Sequence, residues 1–203
     1  MIAIVDYGLG NILAFSNMFK RLNIEACVAR SAGELAGADK LILPGVGAFD
    51  HAMALLQASG MRDVLDELVL EKKTPVLGIC VGMQILAKSS EEGRLPGLGW
   101  IDGKVRGFSA TLAANLPLPH MGWNDVHPVA GQALFAQMET VARFYFLHSF
   151  FFESADPAEV AATAHYGIDF SCAVHAGNVY GVQFHPEKSH HWGARLLQNF
   201  AEL

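Results

Sequence analysis

The chain has 203 residues, of which 52% are hydrophobic and 17% charged, and its formal net charge is −6. This composition predicts a large hydrophobic core and excludes a disordered chain, while the negative charge argues against a nucleic-acid-binding protein, which usually carries a basic surface. No apolar run approaches the roughly 18 residues of a membrane span, and the N-terminus lacks the basic stretch of a signal peptide. Because the three cysteines form no CxxC pair, we expect reduced thiols in a cytoplasmic protein.

The first ninety residues alternate between two kinds of pattern. Short, mostly apolar runs predict four buried strands: IAIVD, EACVAR, KLILPG and TPVLGIC. Helical spacing of apolar residues predicts four helices: NILAFSNMFKRL, AFDHAMALLQAS, MRDVLDELVLEKK and VGMQILAKSS. The alternation predicts an α/β fold with an open, mostly parallel central sheet and helices on both faces.

The second half of the chain is rich in strand patterns. They are GWIDGKVRGF, HMGWNDVHP, RFYFLHSFFFE and FSCAVHAGNVYGVQFH, and the HAGNV segment predicts a hairpin turn. A last helical pattern, SHHWGARLLQNFAEL, closes the chain. Since no linker, repeat or charge run separates the halves, we predict a single domain over residues 1–203.

A cysteine between two glycines is the first candidate for chemistry. In GICVG, Cys80 lies between Gly78 and Gly82, where a strand pattern gives way to a helical one. This is the form of a nucleophile elbow, in which the flanking glycines relieve crowding at a strained turn. The N-terminus of the following helix favours the thiolate. A buried cysteine beside packing glycines is the structural alternative.

A cysteine nucleophile needs a base. His185 ends an apolar strand pattern, and the following proline favours an extended conformation, so that His185 and Glu187 point to the same side. The carboxylate can then orient the imidazole. His190 and His191 are alternatives, although their place at the start of a helix favours solvent exposure. The scattered histidines argue against a metal site.

An oxyanion site is predicted at PGVGAF, after the third strand. Gly45, Val46 and Gly47 leave backbone amides free at the carboxyl end of this strand, the edge of a parallel sheet where ligands bind. Cys80 ends the next strand at the same edge. A plain strand-to-helix turn is the alternative. The YGLGN stretch lacks the third glycine of a dinucleotide-binding fingerprint, because Leu13 occupies that place, so we do not expect a nucleotide or any other cofactor.

Four segments, PGVGAF, GICVGMQ, FLHSF and QFHPEKS, occur in this order and resemble motifs of the class I glutamine amidotransferases. The resemblance implies a flavodoxin-like α/β fold and a triad of Cys80, His185 and Glu187 that hydrolyses glutamine to glutamate and ammonia through a cysteine thioester. The remaining roles implied are oxyanion binding by the backbone of Val46 and Val81, and substrate binding by Gly47, Gln84, His148 and Ser149.

The resemblance also implies a partner. HMGWN and the chain length resemble the histidine-biosynthesis branch of this family, in which ammonia passes to a (β/α)8-barrel cyclase that makes imidazole glycerol phosphate and an aminoimidazole carboxamide ribonucleotide. Asn11, Trp123 and Lys188 match interface positions of the resulting heterodimer. An amidotransferase that feeds another synthase, an inactive binding module and a cysteine protease are the alternatives.

Overall fold

The computed structural model describes residues 1–108, 116–138 and 141–203. In chain order the strands are β1 (Ile2–Val5), β2 (Ala26–Ala29), β3 (Lys40–Gly45), β4 (Val76–Cys80), β5 (Ser89–Ser90), β6 (Gly103–Gly107), β7 (His120–Pro128), β8 (Ala142–His148), β9 (Phe150–Ser154), β10 (Val160–Tyr166), β11 (Ile168–Ala176) and β12 (Val179–Val182). The α-helices are α1 (Ile12–Arg21), α2 (Phe49–Ala58), α3 (Arg62–Asp66), α4 (Val81–Gln84) and α5 (His190–Glu202). Among the shorter helical turns, a π-helical segment (Glu67–Glu71) extends α3, and a 3₁₀ turn (Pro186–Lys188) precedes α5.

The strands form one mixed sheet, which has a parallel half and an antiparallel half. Its main path runs in the order β2-β1-β3-β4-β12-β11-β10-β7-β8. The pairs from β2 to β12 are parallel, and the pairs from β12 to β8 are antiparallel. A side branch, β5-β6-β9, joins the sheet at β11. The predicted α/β class is therefore confirmed, and parallel pairing is found in the strands around β3 and β4 and in the short β5–β6 pair of the side branch.

The inner strands of the parallel half are buried because helices cover both faces of the sheet. All residues of β1, β4 and β12 are buried, as is typical of strands covered on both sides. Helix α1 turns Phe15 and Phe19 into the core, four positions apart and therefore on one face. The carboxyl ends of β3 and β4 lie side by side, since Gly45 pairs with Cys80. This places the two predicted site segments at one sheet edge.

Two details differ from the sequence predictions. The helix predicted after Cys80 ends at Gln84, because Ile85, Leu86 and Ala87 are buried and their carbonyls accept bonds from the Gly97–Ile101 loop instead of from a further helical turn. Strand β10 was not predicted, since its sequence VAATAHY combines weak strand formers with few large apolar residues. Within the described part of the chain, no helix is both long and apolar enough to cross a membrane.

Candidate active site

Cys80 lies at a strained turn between β4 and α4. Its backbone has φ 57° and ψ −114°, a conformation that non-glycine residues rarely adopt. A Cβ on Gly78 would lie 2.6 Å from the carbonyl oxygen of Gly82, and a Cβ on Gly82 would overlap the Leu43 carbonyl on β3. Both glycines are therefore required by close backbone approach, as the elbow motif predicts.

A cavity of about 280 Å³ opens over Cys80. It brings together most of the residues predicted from the sequence: Val46, Gly47, Cys80, Val81, Gln84, His148, Ser149, His185 and Lys188. Further lining comes from residues that the sequence did not single out, namely Glu92, Pro119, Leu147 and Phe150. Six segments distant in sequence thus meet at the carboxyl edge of the parallel strands, where α/β folds bind ligands.

His185 and Glu187 form a buried pair beside this cavity. His185 Nδ1 lies 2.9 Å from Glu187 Oε1, and the two side chains are only 4% and 2% exposed. Burial by itself lowers the pKa of His185, but Cys80 and Glu187 outweigh it and raise the pKa from 6.5 to about 10. The pair therefore favours the imidazolium, and the carboxylate fixes the ring with Nε2 free of other partners.

The predicted substrate residue His148 has both ring nitrogens engaged within the protein. Its Nδ1 lies 2.8 Å from the Phe150 carbonyl oxygen, which can only accept, so Nδ1 carries the proton. Nε2 then accepts from His120 Nδ1 at 2.8 Å. Burial lowers the pKa of His148 to about 3 and that of His120 to about 4, so both rings are neutral. The ring of His148 thus braces the cavity wall, and its backbone with Ser149 is the part left to meet a ligand.

Gln84 is held in place by the buried carboxamide of Gln183, a residue that the sequence analysis did not single out. Gln84 Nε2 donates to the Phe150 carbonyl at 3.2 Å and to Gln183 Oε1 at 3.0 Å. With both N–H groups used, the Gln84 carbonyl oxygen is left as the acceptor for a ligand. Gln183 is fully buried, and its Nε2 lies 3.8 Å from Cys80 Sγ. The only sequence signal for Gln183 was its place in QFHPE, at an otherwise apolar strand end.

The two predicted oxyanion residues lie on either side of Cys80. Val46 follows β3 and is partly exposed, and Val81 begins α4. Where β3 pairs with β4 in parallel, every second residue of β3 bonds to β4 through both its N–H and its C=O group. Leu41 is one of these residues, because its N–H bonds to the Pro75 carbonyl. Gly45 is therefore another, and its carbonyl faces the Val81 N–H. The Val81 amide is therefore turned toward a backbone acceptor in this conformation.

Two of the predicted interface residues, Trp123 and Lys188, lie against the same aromatic ring, that of Tyr145. The Lys188 ammonium lies 5.6 Å from the centre of the Tyr145 ring, and Trp123 packs edge-on against the same ring at 6.3 Å. On its other side Trp123 stacks on His190, with the planes 4° apart. Asn11 is exposed immediately before α1, the helix that packs against the Pro186–Lys188 turn.

The alternative bases and a metal site receive no support from the geometry. Over the described residues, the lining of the Cys80 cavity includes neither His190 nor His191. The described residues also contain no group of three or more histidine, cysteine or acidic side chains that could hold a metal ion.

Comparisons with known proteins show the family to which the chain belongs. A family model described as "Glutamine amidotransferase class-I" matches residues 3–203. The chain is 64% identical to "Imidazole glycerol phosphate synthase subunit HisH" of Bdellovibrio bacteriovorus and 52% identical to the protein of that name from Leptospira borgpetersenii, in each case over 100% of both chains. A crystal structure of a glutamine amidotransferase covers 99% of this chain and 97% of its own, with a TM-score of 0.75 and 25% identity. The chain therefore belongs to the class I glutamine amidotransferase family.

Proposed function

We propose that the chain is the glutaminase subunit of an imidazole glycerol phosphate synthase, which hydrolyses glutamine and delivers the ammonia to a cyclase subunit in histidine biosynthesis. The full-length identity of 64% to a subunit of that name supports this function. We propose further that residues 1–203 act as a single domain, that the enzyme works in the cytoplasm and that its chemistry needs no cofactor.

The proposed reaction begins at the sulfur of Cys80. The thiolate attacks the side-chain carboxamide carbon of glutamine. The negative oxygen of the tetrahedral intermediate is bound by the amides of Val46 and Val81, the latter once it is released from the Gly45 carbonyl that it faces in this conformation. The His185 imidazolium donates its proton to the leaving nitrogen, so that ammonia departs and a thioester remains. His185 then takes a proton from water, which attacks the thioester and releases glutamate and the Cys80 sulfur. The sum is glutamine plus water giving glutamate plus ammonia.

The observation that carries the proposal is that Cys80 and His185 line one cavity, with Glu187 bonded to the far side of the His185 ring. A strained cysteine at a helix N-terminus, a histidine whose pKa is raised and a buried carboxylate that orients the histidine are the three parts of a nucleophile–base–orienter arrangement. The cavity volume of about 280 Å³ suits a ligand of the size of one amino acid.

The carboxamide of Gln84 suits the recognition of an amino-acid substrate. Its carbonyl oxygen, which the bonds to Gln183 and Phe150 leave free, can accept a hydrogen bond from an ammonium or amide group. Backbone groups of Gly47 and of the His148–Ser149 segment supply further polar atoms at the cavity wall. We propose that these groups select glutamine.

The partner is proposed to dock at the exposed surface formed by Asn11, Trp123 and Lys188. Lys188 lines the Cys80 cavity and also contacts Tyr145, so it connects the reacting site with this surface. A (β/α)8-barrel cyclase seated there would receive ammonia directly, forming imidazole glycerol phosphate and an aminoimidazole carboxamide ribonucleotide.

The experiment is glutamate production from glutamine by the chain alone and with the barrel cyclase plus its nucleotide substrate. We expect a large rise in the complex, and loss of at least 1,000-fold for Cys80→Ala, on the order of the effect of removing a catalytic nucleophile. Cys27→Ala is the matched control, since Cys27 lies on β2 away from the cavity. Full hydrolysis by Cys80→Ala would refute the thiol mechanism. Activity in the free chain that the cyclase does not raise would point to another synthase.

A further inference from the structure

Asn124 follows Trp123 in β7, but the two side chains point to opposite faces of the sheet, because neighbours along a strand alternate. Trp123 is exposed, whereas Asn124 is half-buried and faces His120, which lies earlier on the same face of β7. Asn124 Nδ2 lies 2.8 Å from the His165 carbonyl oxygen and 3.2 Å from His120 Nε2. Neither the proposed chemistry nor the proposed docking surface gives the Asn124 side chain a role.

Two backbone groups fix the orientation of the Asn124 carboxamide. The His165 carbonyl can only accept, so the amino group of Asn124 must face it. The Asp125 N–H can only donate, and it lies 2.8 Å from Asn124 Oδ1. The second hydrogen of the amino group then points to His120 Nε2, which must be the unprotonated nitrogen of that ring.

The protons of the two buried histidines follow from this orientation. Burial keeps both rings neutral, because it lowers the pKa of His120 to about 4 and that of His148 to about 3. With Nε2 unprotonated, His120 carries its proton on Nδ1 and donates it to His148 Nε2 at 2.8 Å. His148 in turn holds its proton on Nδ1, where it donates to the Phe150 carbonyl at 2.8 Å. The Phe150 carbonyl, which can only accept, requires the same tautomers from the other end.

The ring of His120 is held so that only its edge can form hydrogen bonds. It is stacked between the rings of Phe146 and Tyr166, whose centres lie 4.8 Å and 4.0 Å away and whose planes differ from its own by 23° and 22°. His120 and His148 are also directly opposite each other in the β7–β8 pair, and both are buried. A reversed hydrogen bond in such a buried network is costly, because no better partner is available nearby.

The Phe150 carbonyl connects this network to the cavity. It accepts from His148 Nδ1 at 2.8 Å and from Gln84 Nε2 at 3.2 Å, so that both of its lone pairs are used. Gln84 Nε2 also donates to Gln183 Oε1, and Gln183 Nε2 lies 3.8 Å from Cys80 Sγ. A continuous series of polar contacts therefore leads from β7 to the proposed nucleophile.

We propose that Asn124 is a positioning residue for glutamine binding, which acts by setting the proton positions of His120 and His148. The donor that His148 then presents holds the Phe150 carbonyl in place, and this carbonyl keeps the Gln84 carboxamide turned with its oxygen toward the substrate. The inference rests on the proposed glutaminase function. It gives the asparagine of HMGWN a role inside the site, while the adjacent tryptophan belongs to the proposed docking surface.

The main test is Asn124→Asp, which keeps the shape of the side chain and replaces its donor by an acceptor. A carboxylate at this position requires a proton on His120 Nε2. When that proton comes from Nδ1, both rings reverse, and His148 turns a lone pair toward the Phe150 carbonyl. With saturating cyclase, and at about pH 9 to disfavour a second proton on His120, we expect KM for glutamine to rise about tenfold. We expect kcat to change less than about threefold, since the triad is untouched.

Asn124→Leu separates the direction of the hydrogen bonds from the loss of a contact. Leucine removes the donor but presents no acceptor, so His120 can keep its Nδ1 proton, and KM should rise by no more than about threefold. A merely structural role would give the opposite order, because aspartate resembles asparagine more closely than leucine does.

Asn178→Asp is the matched control. Asn178 Nδ2 donates to the carbonyls of Val69 and Thr74 at 2.9 Å and 3.0 Å, and none of these residues lines the Cys80 cavity. This variant should lower the unfolding temperature and leave KM for glutamine unchanged.

NMR of the ¹⁵N-labelled histidine rings tests the network without measuring activity. We expect both His120 and His148 of the wild-type chain to carry a proton on Nδ1 and none on Nε2, and His120 of Asn124→Asp to carry one on Nε2. Wild-type rings protonated on Nε2, a higher KM for Asn124→Leu than for Asn124→Asp, or reversed rings with a wild-type KM would overturn the proposal. An inactive wild-type complex whose rings show the expected protons would instead contradict the glutaminase function itself.

Discussion

Replacing Glu187 by glutamine tests the proposed triad most directly, because it removes a charge while keeping the shape of the side chain. The His185–Glu187 contact is 2.9 Å long, and both side chains are almost fully buried, so solvent does not screen it. Glu187 also contributes, with Cys80, to the raised pKa of His185. A glutamine at this position keeps one acceptor for Nδ1–H but no longer stabilises the imidazolium that donates the proton to ammonia.

The expected magnitude follows from the type of hydrogen bond. A hydrogen bond to a charged group contributes about 1.5–3 kcal/mol, and each 1.4 kcal/mol corresponds to roughly a factor of ten in rate. Glu187→Gln should therefore lower kcat for glutamine hydrolysis in the complex by about ten- to hundredfold. The pKa of His185, followed by NMR against pH, should be lower in the variant than in the wild type, since Glu187 contributes to its raised value.

The chain offers a matched control for this variant. His165 and Asp169 form the same kind of pair, with Nδ1 2.7 Å from Oδ1, but their side chains are 67% and 82% exposed. Because exposed pairs contribute little, Asp169→Asn should change kcat by less than about twofold. If Glu187→Gln also stays within twofold of the wild type, the reasoning from the buried carboxylate is refuted.

Three further predictions concern the site and its surroundings. Gly82→Ala should lower the free energy of unfolding by about 1–3 kcal/mol, since its Cβ would overlap a backbone carbonyl of β3. Gly33→Ala is the control and should keep the wild-type stability, because a Cβ at Gly33 would meet no atom within 4 Å. Urea unfolding measures both variants, and equal stabilities would contradict the packing argument. The pKa of His185 is raised on folding, so the stability gained from its protonation is complete below about pH 6.5 and lost as the pH rises through about 10. The difference in unfolding free energy between the wild type and His185→Gln should therefore shrink over that range. A difference that grows with pH would show that folding lowers the pKa of His185 instead. Gln183→Met should raise KM for glutamine about two- to tenfold, because the carboxamide of Gln84 loses one of its two acceptors and with it its orientation. Steady-state kinetics measure this change. An unchanged KM would show that Gln183 does not contribute to glutamine binding.

Much of the fold and of the proposed site could be predicted because it depends on local sequence. The apolar runs of the parallel strands consist mainly of β-branched and aliphatic residues, and each run is followed by a helical pattern or a turn. The order of the elements could therefore be predicted without tertiary information. Cys80 was identified by its two glycines, which the backbone approaches of the elbow require. His185 and Glu187 were identified because an extended segment puts alternate residues on one side.

The tertiary structure decided what depends on partners distant in the chain. The segment after Gln84 has helical periodicity, but burial on all sides and bonds to the Gly97–Ile101 loop end the helix there. His148 was predicted to hold substrate, and only its contacts with His120 and Phe150 show that its ring nitrogens are occupied. Such contacts join residues that no spacing rule connects.

Gln183 shows the limit most clearly. In the sequence it is a polar residue at a strand end, and this pattern does not indicate chemistry. Its contact with Gln84 and Cys80 comes from the order of strands in the sheet, which brings β12 beside β4. The sequence by itself determined the chemical groups and the segments that carry them. Which of those groups face one another was decided only by the packing of strands that are far apart in the chain.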